Sequence, residues 1–284
     1  MDSRYRHHRI TAGVRQYVVD RLGGLVMQTH LSLFTGIGGL DLAAEWAGFT
    51  TVGQCEWADY PTKILERHWP NVPRWRDIKT LTKESFYERT GLATVDIISG
   101  GFPCQPFSVA GKQRGVEDER YLWPEMLRVV RELQPSWVIG ENVENAVRMV
   151  ADEVMCDLES IGYETRAFIV SAYCVGAWYK GNRMFIVAAA DNGCSAMRRD
   201  IQFSPDADAL RCGTNYRRRA AKLDPRERWQ EQSRPFGVAD GVSHRMERIK
   251  CLGNSVNPYQ AYPIFNAIAE IEREVITNDK GADL

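Results

Sequence analysis

Short apolar runs that end in glycines or acidic residues recur along the chain up to about residue 190. The runs are rich in β-branched side chains, and several are followed by stretches with the spacing of an amphipathic helix. Continuous apolar runs of this length are typical of buried parallel strands, and strands that alternate with helices predict an α/β fold. The sequence predicts strands at 31–34, 51–56, 95–98, 136–140, 163–174 and 183–188, and helices at 40–48, 121–134, 144–160 and, after Pro258, up to about 274.

The apolar pattern weakens after residue 190 and returns near residue 239. The intervening segment contains three prolines and clusters of arginine among aromatic residues, including Arg217, Arg218 and Arg219 beside Tyr216. This mixture favours a nucleic-acid-facing module, while nearby acidic residues leave an ordinary solvated insert as the alternative. We therefore predict four parts: a basic N-terminal extension (1–28), an α/β domain (29–190), the inserted segment (191–238) and a C-terminal return to the α/β domain (239–284).

The composition narrows the class of protein. With 44% hydrophobic and 26% charged residues, the 284-residue chain is typical of a globular protein with one large domain and a small insert. A formal net charge of −1 provides no global positive field, so a nucleic-acid surface has to come from local clusters. Seven cysteines without a C-x-x-C pair argue against a disulfide framework and a zinc site. We expect a cytoplasmic, monomeric protein without a resident metal, a signal peptide or a membrane span.

Glycines and acidic residues follow the first predicted strands. The turn Thr35-Gly36-Ile37-Gly38-Gly39 opens a helix, where a backbone without side chains can approach a nucleotide-like ligand. A dinucleotide-binding G-x-G-x-x-G motif would need glycine where Asp41 stands. Glu56 comes about 20 residues later, where an acid accepts hydrogen bonds from ribose hydroxyls, and Trp57 could stack on an adenine ring. Asp77 could accept from an exocyclic amine, and a solvated surface carboxylate is the alternative for either acid.

Three further side chains are candidates for chemistry. Cys104 lies between two prolines after the run 95–98, and a thiol on a rigid turn is a candidate nucleophile, the alternative being a small buried hydrophobe. The glycine-rich segment 105–120 is predicted to be a binding loop or lid, or else a disordered loop. Glu141 ends a buried strand, where burial would raise its pKa and make it a proton donor unless a helix N-terminus stabilises its anion. Arg183 opens the last strand and could point into the cleft or form a surface ion pair.

Taken in order, these segments resemble the motifs of DNA (cytosine-5) methyltransferases of bacterial or phage type. The resemblance implies a Rossmann-like α/β sheet of S-adenosylmethionine-dependent methyltransferases with a small inserted target-recognition domain. It also implies methyl transfer from S-adenosylmethionine to C5 of a flipped-out cytosine, in a specific sequence of double-stranded DNA, through a covalent cysteine adduct. The motifs that carry it are Phe34-Thr35-Gly36-Ile37-Gly38-Gly39, Glu56-Trp57, Asp77-Ile78, Pro103-Cys104-Gln105 with Phe107-Ser108, Glu141-Asn142-Val143 and Gly253-Asn254-Ser255-Val256.

The resemblance also implies roles for individual residues. Cys104 would be the attacking thiolate, Glu141 would hold the proton at N3 of the cytosine, and Arg183 would contact its O2 atom. Two larger sets would bind the cofactor and the DNA. The cofactor set is Phe34, Gly36, Gly38, Gly39, Glu56, Trp57, Asp77, Ile78, Pro103, Asn254, Ser255 and Val256, and the DNA set is Gln105, Ser108, Lys112, Arg114, Arg217, Arg218 and Arg219.

The chain departs from the family at the pattern Gln-x-Arg-x-Arg that precedes the last strand. Tyr179 and Gly181 stand in place of the glutamine and the first arginine, and only Arg183 matches. This departure predicts either reduced activity or compensation by Lys180. The alternative functions are a catalytically weak or silent DNA-binding relative and an RNA cytosine-5 methyltransferase. A small-molecule methyltransferase would need neither Pro-Cys-Gln nor a basic insert. A cognate restriction enzyme is a candidate partner.

Overall fold

The computed structural model describes residues 28–103, 121–144, 147–177, 179–190 and 245–282. Within these ranges the chain alternates between strands and helices as far as residue 190, and two helices follow. The strands are β1 (Thr29–Leu33), β2 (Thr50–Cys55), β3 (Arg74–Trp75), β4 (Ile97–Gly100), β5 (Trp137–Val143), β6 (Tyr163–Val170) and β7 (Arg183–Ala190). The α-helices are α1 (Gly39–Trp46), α2 (Asp59–His68), α3 (Lys83–Thr90), α4 (Trp123–Leu133), α5 (Val147–Glu159), α6 (Arg245–Asn254) and α7 (Pro258–Ala282).

The seven strands found in the described part of the chain form one mixed sheet in the order β3-β2-β1-β4-β5-β7-β6. Strands β1 to β5 are parallel, because helices or turns return the chain to the same edge before each new strand. Strand β7 enters between β5 and β6 and is antiparallel to both, with Arg183 opposite Val143 and opposite Val170. The predicted Rossmann-like α/β fold is confirmed.

Apolar side chains cover both faces of the sheet. One face packs against α3, α4 and α5 through fully buried residues such as Phe86, Trp123 and Met126. The other face packs against α1 and α7, where Phe49 and Phe265 meet at a ring-centroid distance of 5.8 Å. Burial of this kind stabilises the fold by about 25 cal/mol per Å² of apolar surface. The sheet is therefore a rigid platform for the loops at its edges.

Several elements differ from the sequence-based expectation. The strand predicted at 163–174 ends at Val170, because Ser171 caps a 3₁₀ helix, Ala172–Val175, that ends at Gly176 with φ of 86°. Helix α6 was not predicted, and α7 runs to Ala282 rather than to about residue 274. No helix in the described ranges combines the length and the apolar character needed to cross a bilayer.

Candidate active site

The carboxyl ends of the five parallel strands meet at one edge of the sheet, and the predicted site residues follow these ends. Parallel strands bring their C-terminal loops together, which is where α/β proteins bind ligands. The glycine turn follows β1, Glu56 follows β2 and Asp77 follows β3. Gly101 follows β4, and Glu141 lies near the end of β5. Residues far apart in the sequence thus share one cleft edge.

The glycine turn and Glu56 are joined by a hydrogen bond. The backbone N–H of Gly36, whose φ is +58°, donates to Oε2 of Glu56 at 2.8 Å. The N–H of Ala58 donates to the other carboxylate oxygen, also at 2.8 Å. Burial raises the pKa of Glu56, while these two donors act in the opposite direction. A Cβ atom on Gly36 would meet no atom of the described residues within 4 Å, so among them open space lies over the turn beside an oriented carboxylate.

At two positions of the turn, Gly38 and Gly39, neighbouring atoms lie too close to admit a side chain. The indole ring of Trp69 lies 2.5 Å from the position that a Cβ on Gly38 would occupy, and Gly38 has φ of +88°. The carbonyl oxygen of Val256 lies 2.6 Å from the corresponding position on Gly39. The predicted C-terminal motif is therefore packed against the glycine turn. The contact of Trp69 was not predicted, because a tryptophan after a polar helix gives no signal of a role at this turn.

The remaining predicted cofactor residues lie along the same rim. Trp57 is 72% exposed, and its carbonyl oxygen accepts a hydrogen bond from Arg76 at 2.5 Å. Asp77 accepts from the N–H of Lys79 at 2.9 Å and so caps the short 3₁₀ helix that contains buried Ile78. Phe34 has φ of 51° and is partly buried against the core. This rim thus presents two aromatic side chains and two carboxylates.

Glu141 is a buried carboxyl group with an unusual environment. The residue is only 7% exposed, and its Oε1 atom has no hydrogen-bond partner among the described residues. The Nε atom of Arg183 lies 3.5 Å from Oε1, and Oε2 lies 2.8 Å from the position of a Cβ on Gly101. Burial raises the pKa of Glu141 to about 7, with the charge of Arg183 opposing the rise. The carboxyl group is thus able to hold or release a proton near neutral pH.

Asn142, the residue after Glu141, forms a hydrogen bond to the segment that follows β4. Its Nδ2 atom donates to the carbonyl oxygen of Phe102 at 3.1 Å, and its Oδ1 atom accepts from the N–H of Val143 at 2.9 Å. Phe102 is followed by Pro103, the last described residue before the predicted nucleophile. Asn142 had no predicted role of its own, because its partner is a backbone atom 40 residues away in the sequence. Cys104, Gln105, Ser108, Lys112, Arg114, Arg217, Arg218 and Arg219 lie outside the described residues.

Arg183 links the acid to the C-terminal motif. Its Nη2 atom donates to the carbonyl oxygen of Ser255 at 3.2 Å, while its Nε atom faces Glu141. Asn254 is the last residue of α6, and Val256 contacts the glycine turn. The predicted catalytic acid, the predicted arginine and the predicted cofactor segment therefore lie together. Among the described residues, no three His, Cys, Asp or Glu side chains are grouped as metal ligands.

A Rossmann-like sheet with these polar groups at its carboxyl edge is compatible with a methyltransferase fold, and the comparisons show that class. Residues 28–197 match the family model for C-5 cytosine-specific DNA methylase. Because this match covers more than half of the chain, the protein belongs to that family. A crystal structure of a candidate DNA modification methyltransferase encoded within an E. coli prophage matches with a TM-score of 0.52 and 25% identity. The match covers 62% of this chain and 49% of that one.

Curated relatives match about half of the chain. Type II methyltransferase M.HhaI from Haemophilus parahaemolyticus is 32% identical over 162 residues, which are 55% of this chain and 47% of that protein. Type II methyltransferase M.PspPI from Psychrobacter sp. is 39% identical over 140 residues, which are 47% of this chain and 32% of that protein. The chain thus spans half or less of the length of these relatives. The range matched by the family model, residues 28–197, includes the predicted α/β domain.

Proposed function

We propose that the protein transfers a methyl group from S-adenosylmethionine to C5 of cytosine in double-stranded DNA. The observation that carries this proposal is the environment of Glu141, a buried carboxyl group that faces Arg183 on one side and Gly101 on the other. A proton donor beside a guanidinium fits a cytosine ring, in which N3 and O2 are neighbouring acceptors. Membership of the cytosine-5 family supports the same reaction.

The residues present fit S-adenosylmethionine. The space over Gly36 admits a ligand without a clash, and the Glu56 carboxylate is already oriented to accept from ribose hydroxyls. Phe34 and Trp57 supply aromatic surface for an adenine ring, and Asp77 an acceptor for its amine. S-adenosylmethionine, when bound, would supply an electrophilic methyl group, and its sulfur–methyl bond would break to leave the thioether S-adenosylhomocysteine. In this proposal the glycines at 38 and 39, Ile78, Pro103 and the segment Asn254–Val256 complete the walls of its site.

The reaction that we propose begins with the thiolate of Cys104. Its sulfur forms a bond to C6 of the cytosine, and the electron pair of the C5–C6 double bond becomes available at C5 for the methyl group. Glu141 holds a proton at N3 and Arg183 contacts O2, so the charge that develops on the ring is neutralised. Loss of the C5 proton to a base and cleavage of the sulfur–C6 bond restore the ring and the thiolate. The hydrogen bond from Asn142 to Phe102 supports the backbone that leads into Cys104.

Access to C6 requires that the cytosine leave the base stack. We propose that Gln105, Ser108, Lys112 and Arg114 contact the DNA around the flipped base, as polar and basic loop residues do. The segment 191–238, with Arg217, Arg218 and Arg219, would supply target recognition. The end of the family match at residue 197 supports this division of the chain. One flipped base needs one active site, so a monomer is sufficient.

The experiment that tests this function is incubation with S-adenosylmethionine and DNA of mixed sequence, followed by base-resolved sequencing for 5-methylcytosine. Methylation of cytosine within one short sequence is the expected result. Cys104→Ser should abolish it, and Cys156→Ser, which changes an exposed cysteine of α5, should not. DNA containing 5-fluorocytosine should trap a covalent adduct, because the C5 proton is missing. Binding of DNA without any methylation would instead support a silent DNA-binding relative, and methylation of RNA alone would support the RNA enzyme.

A further inference from the structure

The two positions at which the chain departs from its family are in direct contact with each other. The ring of Tyr179 lies over Gly181, and a Cβ on Gly181 would stand 2.4 Å from Cε2 and 2.6 Å from Cδ2 of that ring. Gly181 also has φ of +33°, a conformation that residues with side chains rarely adopt. Tyrosine at position 179 therefore requires glycine at position 181, and the two substitutions form a matched pair.

The backbone around this pair is fixed by several hydrogen bonds. Gln260 of α7, which is 1% exposed, donates from Nε2 to the carbonyl oxygens of Val170 at 2.7 Å and of Gly181 at 2.9 Å. The hydroxyl of Ser171 and the N–H of Ala172 both donate to the carbonyl oxygen of Lys180 at 2.9 Å. The segment 180–181, which leads into β7, is thus hydrogen-bonded to the end of β6 and to the start of α7, either directly or through Gln260.

The same segment contacts both ends of the Ser255–Asn257 stretch. The Nδ2 atom of Asn257 donates to the hydroxyl of Tyr179 at 3.5 Å. Two residues earlier, the carbonyl oxygen of Ser255 accepts from Arg183 at 3.2 Å. Arg183 in turn faces Glu141 at 3.5 Å. Tyr179 and Arg183, on either side of Gly181 in the sequence, therefore both form hydrogen bonds to the stretch Ser255–Asn257.

We propose that Tyr179 and Gly181 act as a pair that positions Arg183 against Glu141 and Ser255. Tyr179 is a positioning residue, since its ring covers Gly181 and its hydroxyl meets Asn257, whereas Arg183 makes the contacts to the site. The inference rests on the proposed function. It replaces the expectation of a disabled site, because the departure from the family pattern leaves a packed and hydrogen-bonded segment. It also differs from compensation by Lys180, whose backbone oxygen makes the contacts described.

The first test is truncation of the ring. Tyr179→Ala should lower kcat/KM for methyl transfer by roughly tenfold to a hundredfold, because small displacements of a positioned group have effects of that size. Tyr179→Phe should retain most of the wild-type kcat/KM, since the phenylalanine ring supplies the same packing. Tyr173→Ala, a change of an exposed tyrosine in the neighbouring 3₁₀ helix, is the matched control and should retain wild-type activity. If Tyr179→Ala matches that control, the inference is wrong. Should thermal unfolding show that Tyr179→Ala does not fold, Tyr179→Leu takes its place.

A double-mutant cycle tests whether the two residues act as a pair. Gly181→Ala alone should strongly reduce kcat/KM, because the added methyl group would displace the Tyr179 ring. In the Tyr179→Ala background the clash is gone, so adding Gly181→Ala should have a much smaller effect. The losses should therefore combine to less than the product of the single losses. Losses that multiply would show that the two positions act independently and would overturn the pairing.

A third measurement does not depend on activity. NMR titration of the Glu141 carboxyl carbon reports how close Arg183 lies, because its charge lowers the pKa of Glu141. Glu144, three residues further along the chain, accepts a hydrogen bond from Asn182 at 2.9 Å. Tyr179→Ala should move the midpoint upward, towards the value in Arg183→Gln. An unchanged midpoint would refute positioning even in an active enzyme. If the midpoint of Glu141 shifts in Tyr179→Ala as expected but the wild-type protein methylates nothing, only the proposed function is refuted.

Discussion

The carbonyl oxygen of Val256 lies 2.6 Å from the place that a Cβ atom on Gly39 would take. The Cγ1 atom of the same valine lies 2.8 Å from it. The start of the α/β domain and the C-terminal return are therefore in contact at a point where no side chain fits between them. Because Ser255, the preceding residue, binds Arg183, this contact joins the proposed cofactor site to the proposed catalytic acid.

Gly39→Ala is expected to push the Val256 segment away from the glycine turn. Overpacking of this kind destabilises a protein by about 1–3 kcal/mol, and displacement of a wall of the proposed site should weaken S-adenosylmethionine binding about tenfold or more. Isothermal titration with S-adenosylmethionine and urea unfolding measure the two effects. Gly253→Ala is the matched control, because a Cβ on Gly253 meets no atom within 4 Å in the part of the chain that the structure describes. Equal cofactor affinity in both variants would contradict the proposed site.

The burial of Glu141 predicts a pH dependence of the chemical step. Its pKa lies at about 7, so the carboxyl group is protonated below that pH and loses its proton above it. Single-turnover methyl transfer should therefore slow as the pH rises through about 7. Glu141→Gln removes the titration, so this alkaline decline should disappear while the rate falls by roughly 10²- to 10⁴-fold. A wild-type rate that increases steadily between pH 6 and 9 would contradict the role of Glu141 as the proton holder.

The sequence was informative about this fold where strands are buried on both faces. Strands β4 and β5 contain apolar runs because their neighbouring strands and the helices hide both faces. Strand β3 has two residues and α6 has a weak apolar stripe, so neither gives a periodic signal. The placement of β7 between β5 and β6 is likewise absent from the pattern, although it brings Arg183 beside Glu141.

Asp41 illustrates a second limit of prediction from the sequence. In the sequence it served only to exclude a dinucleotide motif. In the structure it is fully buried and accepts hydrogen bonds from Ser32 at 2.9 Å and from Gln54 at 2.7 Å, which ties α1 to β1 and β2. Burial raises its pKa to about 6. A contact among residues on three different elements cannot be identified from one sequence, since each is an ordinary polar residue in its own segment.

Asn142→Ala is expected to free the carbonyl oxygen of Phe102 and loosen the backbone that leads into Pro103 and Cys104. The rate of adduct formation with 5-fluorocytosine DNA should fall about tenfold to a hundredfold, since the nucleophile loses its fixed approach. S-adenosylmethionine affinity should change little. Asn266→Ala, which removes an amide hydrogen-bonded within α7, is the control. A loss of cofactor affinity equal to the loss of rate would mean that Asn142 supports the whole site rather than the nucleophile.

His30 predicts how the stability of the fold depends on pH. Its ring is fully buried in the sheet, with Nδ1 3.1 Å from the Thr51 hydroxyl and Nε2 2.7 Å from the Ser99 hydroxyl. Burial lowers its pKa from 6.5 to about 3. Below pH 6.5 the unfolded chain therefore binds a proton that the folded protein does not, so this contribution to stability is present above pH 6.5 and is lost as the pH falls towards 3. Between pH 6.5 and 5 the loss should be about 2 kcal/mol.

Other buried groups act in the opposite direction. Asp41 and Glu141 have raised pKa values, so their contributions are present at low pH and are lost as the pH rises through about 6 and 7. Comparison of the wild type with His30→Gln isolates the histidine, because both proteins retain these acids. The variant should be less stable at pH 7.5, by about 1–3 kcal/mol for the altered hydrogen bonds. The difference from the wild type should narrow as the pH falls to 5, as measured by urea unfolding at each pH. A difference that stays constant would show that His30 does not titrate on unfolding.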